Sequence, residues 1–158
     1  GFPVWRTMGG IMGMCICNDR RWPETYRMMG LQGVEMIMLG YNTPATEPPW
    51  GFEPTHLASL HNNLSMQSGA YQNATWVIGV AKAGREEGCD MMGGTLIVAP
   101  TGEIVAQGRT LDDELVVADC DLDACNHYKN TVFNFAEHRQ PDQYGLITET
   151  AGVVLPPE

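Results

Sequence analysis

One junction near the start of the chain constrains its fold more than any other stretch. The apolar run 11–16 predicts a buried strand. Pro23 and Glu24 predict the first turn of a helix, because proline fits there without losing a needed hydrogen-bond donor. Cys17 therefore stands where a strand ends and a helix is about to begin. The stretch therefore predicts a strand-turn-helix unit with Cys17 at its turn.

Cys17 has two interpretations from residue types alone. Free cysteine is among the most buried residues, so it could be a structural thiol. The nearby Arg20 and Arg21, together with the unpaired N–H groups of a helix start, instead favour a thiolate, which is the nucleophilic form. Cys15 is its competitor on the same predicted strand. We expect Cys15 to lie in the core, because only the cysteine at the strand end is accessible.

The basic and polar residues around this junction also have two interpretations. Arg20 and Arg21 are either solvated charges or a guanidinium fork that binds a carboxylate. The apolar run 36–39 predicts a buried parallel strand, which places Asn42 and Thr43 in the loop at its carboxyl end. From their types alone, Asn42 and Thr43 either stabilise that turn or contact a ligand.

The rest of the chain alternates strand and helix patterns. Further strands are predicted over 2–6, 76–81, 95–100, 103–106 and 115–120; helices over 22–31 and 55–73, and a final one that carries Tyr128, Val132 and Phe135. Irregular loops are predicted at 44–54 and 84–94. On the long helix, the stripe that should cover the sheet comprises Leu57, Leu60, Leu64, Ala70 and Tyr71.

Composition narrows the class of protein. The chain has 158 residues, of which 44% are hydrophobic and 18% charged, as in one soluble globular domain. Its net charge of -10 argues against a nucleic-acid or anionic-membrane partner, since both need a basic surface. No apolar run approaches the roughly 20 residues of a membrane-spanning helix. Five cysteines without a scaffold spacing indicate free thiols, and we expect a cytoplasmic protein.

A zinc site is the rival chemistry, and the spacing argues against it. Cys120 and Cys125 precede His127 and His138, but the two histidines are too far apart for the closely spaced ligand pairs of structural zinc. His56 and His61 lie five residues apart, off the i, i+4 face of the predicted helix. We therefore expect no metal site.

The junction and several later segments resemble a known family. Residues 13–24 read Gly-Met-Cys-Ile-Cys-Asn-Asp-Arg-Arg-Trp-Pro-Glu, which resembles the nucleophile motif of the nitrilase superfamily. The form Cys-Asn-Asp-Arg-Arg-Trp is similar to that of the N-carbamoyl-D-amino-acid amidohydrolases. The match continues through segments 40–44, 61–67, 70–73, 97–100 and 102–106. It covers nearly the whole chain.

The resemblance implies a fold and a set of site residues. The fold is α/β, the C-terminal half of a four-layer αββα sandwich; residues 1–158 are the C-terminal portion of one nitrilase-like domain, with apolar faces left uncovered. Family members also assemble through this half, so we expect a homo-oligomer. The implied site comprises Cys17 as nucleophile, the backbone N–H of Asn18 as oxyanion donor, and Arg20, Arg21, Asn42 and Thr43 as carboxylate-binding residues.

The resemblance also implies an activity and the parts it requires. The reaction is hydrolysis of N-carbamoyl-D-amino acids to D-amino acid, ammonia and carbon dioxide, with no cofactor. A glutamate base and a lysine complete the family's triad, and both lie in family segments upstream of this chain; neither Glu24 nor Lys82 matches them. We therefore expect this chain to need the missing N-terminal half and to be inactive alone. The alternatives are a related amidase acting on another C–N bond and a truncated, non-catalytic fragment.

Overall fold

A mixed sheet whose two longest helices pack on one face organises the chain. The structure is a computed structural model that describes residues 1–45 and 55–157. The strands are β1 (Val4–Thr7), β2 (Gly10–Ile16), β3 (Met36–Tyr41), β4 (Trp76–Ala81), β5 (Ala83–Glu86), β6 (Cys89–Met92), β7 (Leu96–Val98) and β8 (Ile104–Gln107). The α-helices are α1 (Pro23–Gly30), α2 (Thr55–Asn73), α3 (Ala124–Lys129), α4 (Phe135–His138) and α5 (Gly145–Glu149), with 3-10 helices at Cys17–Arg21 and Pro141–Gln143.

The large sheet confirms the predicted α/β class. Its six strands run in the order β1-β2-β3-β4-β7-β8. The central strands β2, β3 and β4 are parallel, whereas β1, β7 and β8 pair antiparallel to their neighbours. Parallel neighbours need a crossover connection, and α1 and α2 belong to the two crossovers. The carboxyl ends of β2 and β3 therefore meet at one edge of the sheet.

One face of the sheet and the two long helices form the main core. Its buried members are Tyr26, Met29, Val34, Ile37, Leu39, Tyr41, Met66, Ala70, Val77, Leu96 and Val98. The helices α1 and α2 approach closely at Gly69, where an added Cβ would lie 2.5 Å from the ring of Tyr26. Glycine at this position lets the aromatic ring pack against the backbone of α2.

The bounds of α2 match the predicted helix 55–73, but of the predicted buried stripe only Ala70 is fully buried. Leu60 and Leu64 are each 57% exposed. The face that packs inward instead carries Ala58, Asn62, Met66 and Ala70. Small residues and one polar residue occupy the contact because α2 lies close to the sheet and to α1, and because Asn62 has a buried polar partner described below.

The predicted loop 84–94 is also wrong, since most of it forms a second, two-stranded sheet. β5 and β6 pair antiparallel, with Arg85 opposite Asp90. The two residues between the strands, Glu87 and Gly88, both have positive φ, at 50° and 84°. That is the backbone geometry of a tight hairpin turn, and the polar character of the strands hid it in the sequence.

The predicted strand 115–120 forms no strand either. This segment is extended, and its alternating residues Val116, Ala118 and Cys120 pack on a second core cluster that includes Trp76 and Ile97. These partly buried side chains cover the face of the sheet, whereas the prediction had the segment pair with the strands of the sheet. The last strand of the sheet is β8.

The final predicted helix is divided. Tyr128 lies in α3, Val132 lies in the turn that follows, and Phe135 begins α4. Of the predicted loop 44–54, residues 46–54 lie outside the described residues. Among the helices that the structure describes, none is both long and apolar enough to span a bilayer.

Part of the sheet face opposite α1 and α2 is uncovered, as expected. Met14, Ile16 and Val80 on this face are 59%, 69% and 57% exposed. The segment that packs on Trp76 and Ile97 covers only the other end of the face. Exposed apolar side chains at the carboxyl ends of β2 and β4 therefore border the junction at Cys17.

Candidate functional site

The predicted strand-to-helix junction is present, and Cys17 is its strained residue. β2 ends at Ile16, a 3-10 helix occupies Cys17–Arg21, and α1 begins at Pro23. Cys17 has a φ of 47°, in the left-handed region that residues with a side chain rarely adopt. Such a conformation costs on the order of 1–3 kcal/mol and persists only where the surroundings fix it. Asp19 contributes, because its Oδ2 accepts a hydrogen bond of 2.9 Å from the Ile16 N–H.

The structure brings Cys17 and Asn42 together. The Cys17 thiol donates a long hydrogen bond to Asn42 Oδ1, with Sγ and Oδ1 3.8 Å apart. The contact arises because β2 and β3 are parallel neighbours whose carboxyl ends lie side by side. Asn42 is exposed beside a partly buried Cys17, so a ligand can reach both.

Arg20 lies inside the protein, and its side chain binds protein groups. It is 1% exposed. One of its terminal nitrogens donates to the carbonyl oxygen of Cys17 at 2.6 Å, the other donates to Thr43 Oγ1 at 2.8 Å, and Nε donates to Asn62 Oδ1 at 2.9 Å. The guanidinium carbon lies 4.3 Å from the centre of the Tyr41 ring. Burial lowers the pKa of Arg20, and the charge of Arg21 adds to that effect.

Asn62 and Tyr41 are functional-site residues that the sequence reasoning missed. Asn62 is 2% exposed, and its Nδ2 donates to the Tyr41 hydroxyl at 3.1 Å. The Tyr41 hydroxyl in turn donates to the carbonyl oxygen of Gly94 at 2.9 Å. Burial raises the pKa of Tyr41. The signal available in the sequence was the polar Asn62 within the predicted helix 55–73. An amide buried on such a helix needs a hydrogen-bond partner.

The remaining predicted residues occupy three different surroundings. Asn18 is exposed and is the second residue of the 3-10 helix, so its N–H lacks an intrahelical acceptor. Thr43 is 8% exposed and is also held by its carbonyl, which accepts from the Met92 N–H at 2.9 Å. Arg21 is exposed and lines a cavity of about 370 Å³ between α1 and α2, together with His61.

Three of the other cysteines, Cys15, Cys120 and Cys125, have environments that disfavour the thiolate. Burial, reinforced by the negative charge of Asp19, raises the pKa of Cys15 to about 12. Burial also raises the pKa of Cys125 to about 11 and, together with Asp119, raises that of Cys120. Cys15 packs against the main core, which agrees with its predicted role there.

The residues weighed as zinc ligands do not form a cluster. Cys125 is fully buried, and its thiol donates to the carbonyl oxygen of Glu35 at 3.4 Å. His127 instead packs edge-on against the ring of Tyr128. Within residues 1–45 and 55–157, no three His, Cys, Asp or Glu side chains lie close enough together to hold a metal ion.

Comparison with known proteins finds relatives of similar sequence and similar fold. The N-carbamoylputrescine amidase of rice, Oryza sativa subsp. japonica, is 30% identical over 161 residues, which cover 96% of this chain and 52% of the rice protein. A carbon-nitrogen hydrolase from Helicobacter pylori has a solved structure that superposes with a TM-score of 0.81 at 20% identity, over 94% of this chain and 53% of that one.

A yeast member of the nitrilase superfamily shares the fold as well. That structure, from Saccharomyces cerevisiae, superposes with a TM-score of 0.70 at 22% identity and covers 88% of this chain and 46% of the yeast chain. The expected nitrilase-like α/β fold is therefore confirmed. The chain spans about half the length of the relatives it matches. Because the family model described as carbon-nitrogen hydrolase matches residues 1–130, the chain belongs to the carbon-nitrogen hydrolase family.

Proposed function

We propose that this chain carries the nucleophile of an enzyme that hydrolyses N-carbamoyl-D-amino acids to D-amino acid, ammonia and carbon dioxide. The observation that carries the proposal is Cys17 itself, a cysteine in a left-handed conformation at the end of a central strand, beside Asn42. The rice relative is named for an N-carbamoyl substrate. The D-amino-acid part of the proposal comes from the resemblance of residues 17–22.

The substrate's carboxylate fits the charge of the site better than a cation would. Arg20 and Arg21 follow Cys17 by three and four residues; Arg20 contacts the Cys17 carbonyl oxygen at 2.6 Å, and Arg21 is exposed. A positively charged substrate end would be repelled by two guanidinium groups, whereas a carboxylate is attracted to them. This observation favours an N-carbamoyl amino acid over an N-carbamoyl amine. We propose that Arg21, Asn42 and Thr43 bind the carboxylate end, with Arg20 contributing its charge from inside.

The chemical step starts at Cys17. Its thiolate adds to the carbamoyl carbon, the carbonyl oxygen becomes an oxyanion, and the Asn18 N–H stabilises that charge. The tetrahedral intermediate then expels a protonated nitrogen leaving group and leaves a thioester-like acyl-enzyme, which water hydrolyses. The reaction needs a general base and a second electrophile; the resemblance assigns them to a glutamate and a lysine outside this chain.

The whole protein's organisation is part of the proposal. We propose that residues 1–158 form the C-terminal portion of one domain, that the complete enzyme is a cytoplasmic homo-oligomer, and that a second sheet covers Met14, Ile16 and Val80. Their exposure supports the last point, because large apolar side chains clustered on a sheet face indicate an interaction surface. The alternatives are an amidase for another C–N bond and a non-catalytic fragment.

The test uses a combined enzyme, in which this chain is refolded together with the N-terminal half of the rice amidase. Ammonia release is measured on N-carbamoyl-D-phenylalanine, its L enantiomer and N-carbamoylputrescine, with Cys17→Ala as control. We expect release from the D substrate above all and none from the Cys17→Ala variant. A preference for N-carbamoylputrescine supports the alternative amidase instead. Release that survives Cys17→Ala contradicts the assignment of the nucleophile.

A further inference from the structure

We infer that Arg20 is a positioning residue that orients the oxyanion donor, and that Asn62 fixes Arg20 in this role. The inference rests on the proposed function, in which Cys17 is the nucleophile and the Asn18 N–H is the donor. Neither Asn62 nor its contact with Arg20 is part of the sequence motif at Cys17. The inference gives Arg20 a task other than direct binding of the substrate.

The peptide between Cys17 and Asn18 connects Arg20 to the oxyanion donor. A peptide group is planar and trans, so its C=O and its N–H point in opposite directions in one plane. Arg20 donates a hydrogen bond of 2.6 Å to the Cys17 carbonyl oxygen. Fixing that carbonyl also fixes the direction of the Asn18 N–H, which lies on the other side of the same peptide.

The same hydrogen bond polarises the peptide. A charged donor on the carbonyl oxygen draws electron density away from the amide nitrogen, and hydrogen bonds in a chain strengthen one another. The Asn18 N–H therefore becomes a stronger donor toward an oxyanion. The hydrogen bond from Arg20 also holds Cys17 in its left-handed conformation, at a φ of 47°, because a rotated peptide would lose the contact with Arg20.

Arg20 can do this only if its guanidinium does not move. Asn62 and Thr43 bind two of its other N–H groups at 2.9 Å and 2.8 Å. Its flat face stacks on the Tyr41 ring at 4.3 Å. Asn62 is itself fixed, because its Nδ2 donates to the Tyr41 hydroxyl. The guanidinium is thus held from three elements, β3, α2 and the loop at Thr43.

The experiment compares two reactions of Cys17 in the chain as it stands. Acylation by p-nitrophenyl acetate passes through an oxyanion before nitrophenolate leaves, whereas alkylation by iodoacetamide displaces iodide directly and forms no oxyanion. The modified Cys17 peptide is measured by mass spectrometry, with Cys89 in the same molecule as an internal reference. A loss of protein structure would affect both reactions, but a misoriented Asn18 N–H slows acylation alone.

The key variant is Arg20→Lys, which keeps the charge but cannot form the fork. Removal of an oxyanion donor commonly costs about a hundredfold to a thousandfold, so we expect misorientation to lower the acylation-to-alkylation ratio about tenfold. Arg6→Lys is the matched control, because Arg6 is exposed on β1 away from the site, and we expect it to leave the ratio unchanged. Circular dichroism verifies that each variant is folded.

Two variants of Asn62 test directly whether Asn62 fixes Arg20. They also keep the inference testable if Arg20→Lys fails to fold. Asn62→Leu removes the acceptor for Arg20, and we expect a ratio reduced as in Arg20→Lys. Asn62→Asp keeps an oxygen that accepts from Arg20 but loses the donor to Tyr41, and we expect it to retain most of the parental ratio. Equal ratios in the two Asn62 variants would overturn the inference.

The remaining outcomes separate this inference from the proposed function. If Cys17 is acylated no faster than Cys89 in the parent, the proposed nucleophile is wrong. If Cys17 is preferred but Arg20→Lys leaves the ratio unchanged, only the positioning role is wrong. A selective loss with iodoacetate relative to iodoacetamide, at an unchanged acylation ratio, would show that Arg20 binds carboxylate directly and would also overturn the inference.

Discussion

The thiol of Cys17 lies 3.8 Å from Asn42 Oδ1, although 25 positions separate the two residues in sequence. Two adjacent parallel strands, β2 and β3, bring them to one edge of the sheet. The sequence predicted that each residue follows the end of a strand, because each comes after a short apolar run, but it did not predict their proximity. A polar oxygen next to the sulfur also makes the charge at position 42 a sensitive probe of the thiolate.

We predict that Asn42→Asp slows alkylation of Cys17 by iodoacetamide about tenfold at pH 7. A carboxylate so near the sulfur disfavours a second negative charge there. The rate should recover as the pH is raised, because more thiolate then forms in spite of the repulsion. Asn42→Leu is the control, since it removes the amide without adding charge. Equal slowing in both variants would mean that the amide itself, rather than the charge, matters.

A second prediction concerns the order in which cysteines react. Near pH 8, iodoacetamide should label Cys17 first and should leave Cys15 and Cys125 unlabelled in the folded chain. The reason is that burial raises the pKa of Cys15 to about 12 and that of Cys125 to about 11. Only the thiolate reacts, so both remain inert well below those values. Peptide mapping after timed labelling measures the order, and faster labelling at Cys15 would reverse the assignment of nucleophile and core thiol.

The sequence predicted the parts of the fold that depend on local pattern. The bounds of α2 follow from its long helical periodicity. Those of β4 follow from a compact apolar run. The β5–β6 hairpin was not predicted from the sequence, because its strands are polar and its turn residues Glu87 and Gly88 are not the usual Asn-Gly pair. That hairpin matters to the site, since Met92 donates to the carbonyl of Thr43.

The sequence could identify Cys17 and Arg20 but not how they cooperate. Burial of Arg20 depends on long-range partners, because Asn62, 42 positions away, accepts one of its hydrogen bonds and Tyr41 provides an aromatic face. No periodicity encodes such a pairing, which is why α2 was expected to bury Leu60 and Leu64 instead. The preference of Asn62 for the interior depends on its partner and not on its own hydropathy.

The close contact between α1 and α2 leads to a prediction about the free energy of unfolding. Gly69→Ala should lower the free energy of unfolding by about 1–2 kcal/mol, because overpacking costs about 1–3 kcal/mol and the better helix propensity of alanine offsets part of it. The new Cβ would lie 2.5 Å from the Tyr26 ring. Gly40→Ala is the matched control, since nothing lies within 4 Å of an added Cβ there. Urea denaturation measures both, and equal stabilities would contradict the close approach.

We predict that Arg21 determines the preference for a substrate that carries a carboxylate. In the combined enzyme, Arg21→Ala should cost about 2 kcal/mol in kcat/KM on N-carbamoyl-D-phenylalanine, as expected for a hydrogen bond to a charged group. A matched N-carbamoyl amine without the carboxylate should be a poor substrate for the parent and should lose little more in the variant. Equal losses on the two substrates would show that Arg21 stabilises α1 and α2, whose cavity it lines, and does not bind the carboxylate.

The last prediction is that these 158 residues alone modify Cys17 but do not turn over N-carbamoyl substrates. General acid–base catalysis typically contributes about a hundredfold to ten-thousandfold, and no residue of this chain is assigned as the base. Glu24 is exposed in the first turn of α1, and Lys82 pairs with Glu86 at 3.8 Å. Ammonia release by the purified chain should therefore equal that of its Cys17→Ala variant, while p-nitrophenyl acetate still acylates Cys17 once. Robust release by the chain alone would require a base within it, and Glu24→Gln and Lys82→Met would be the first variants to assay.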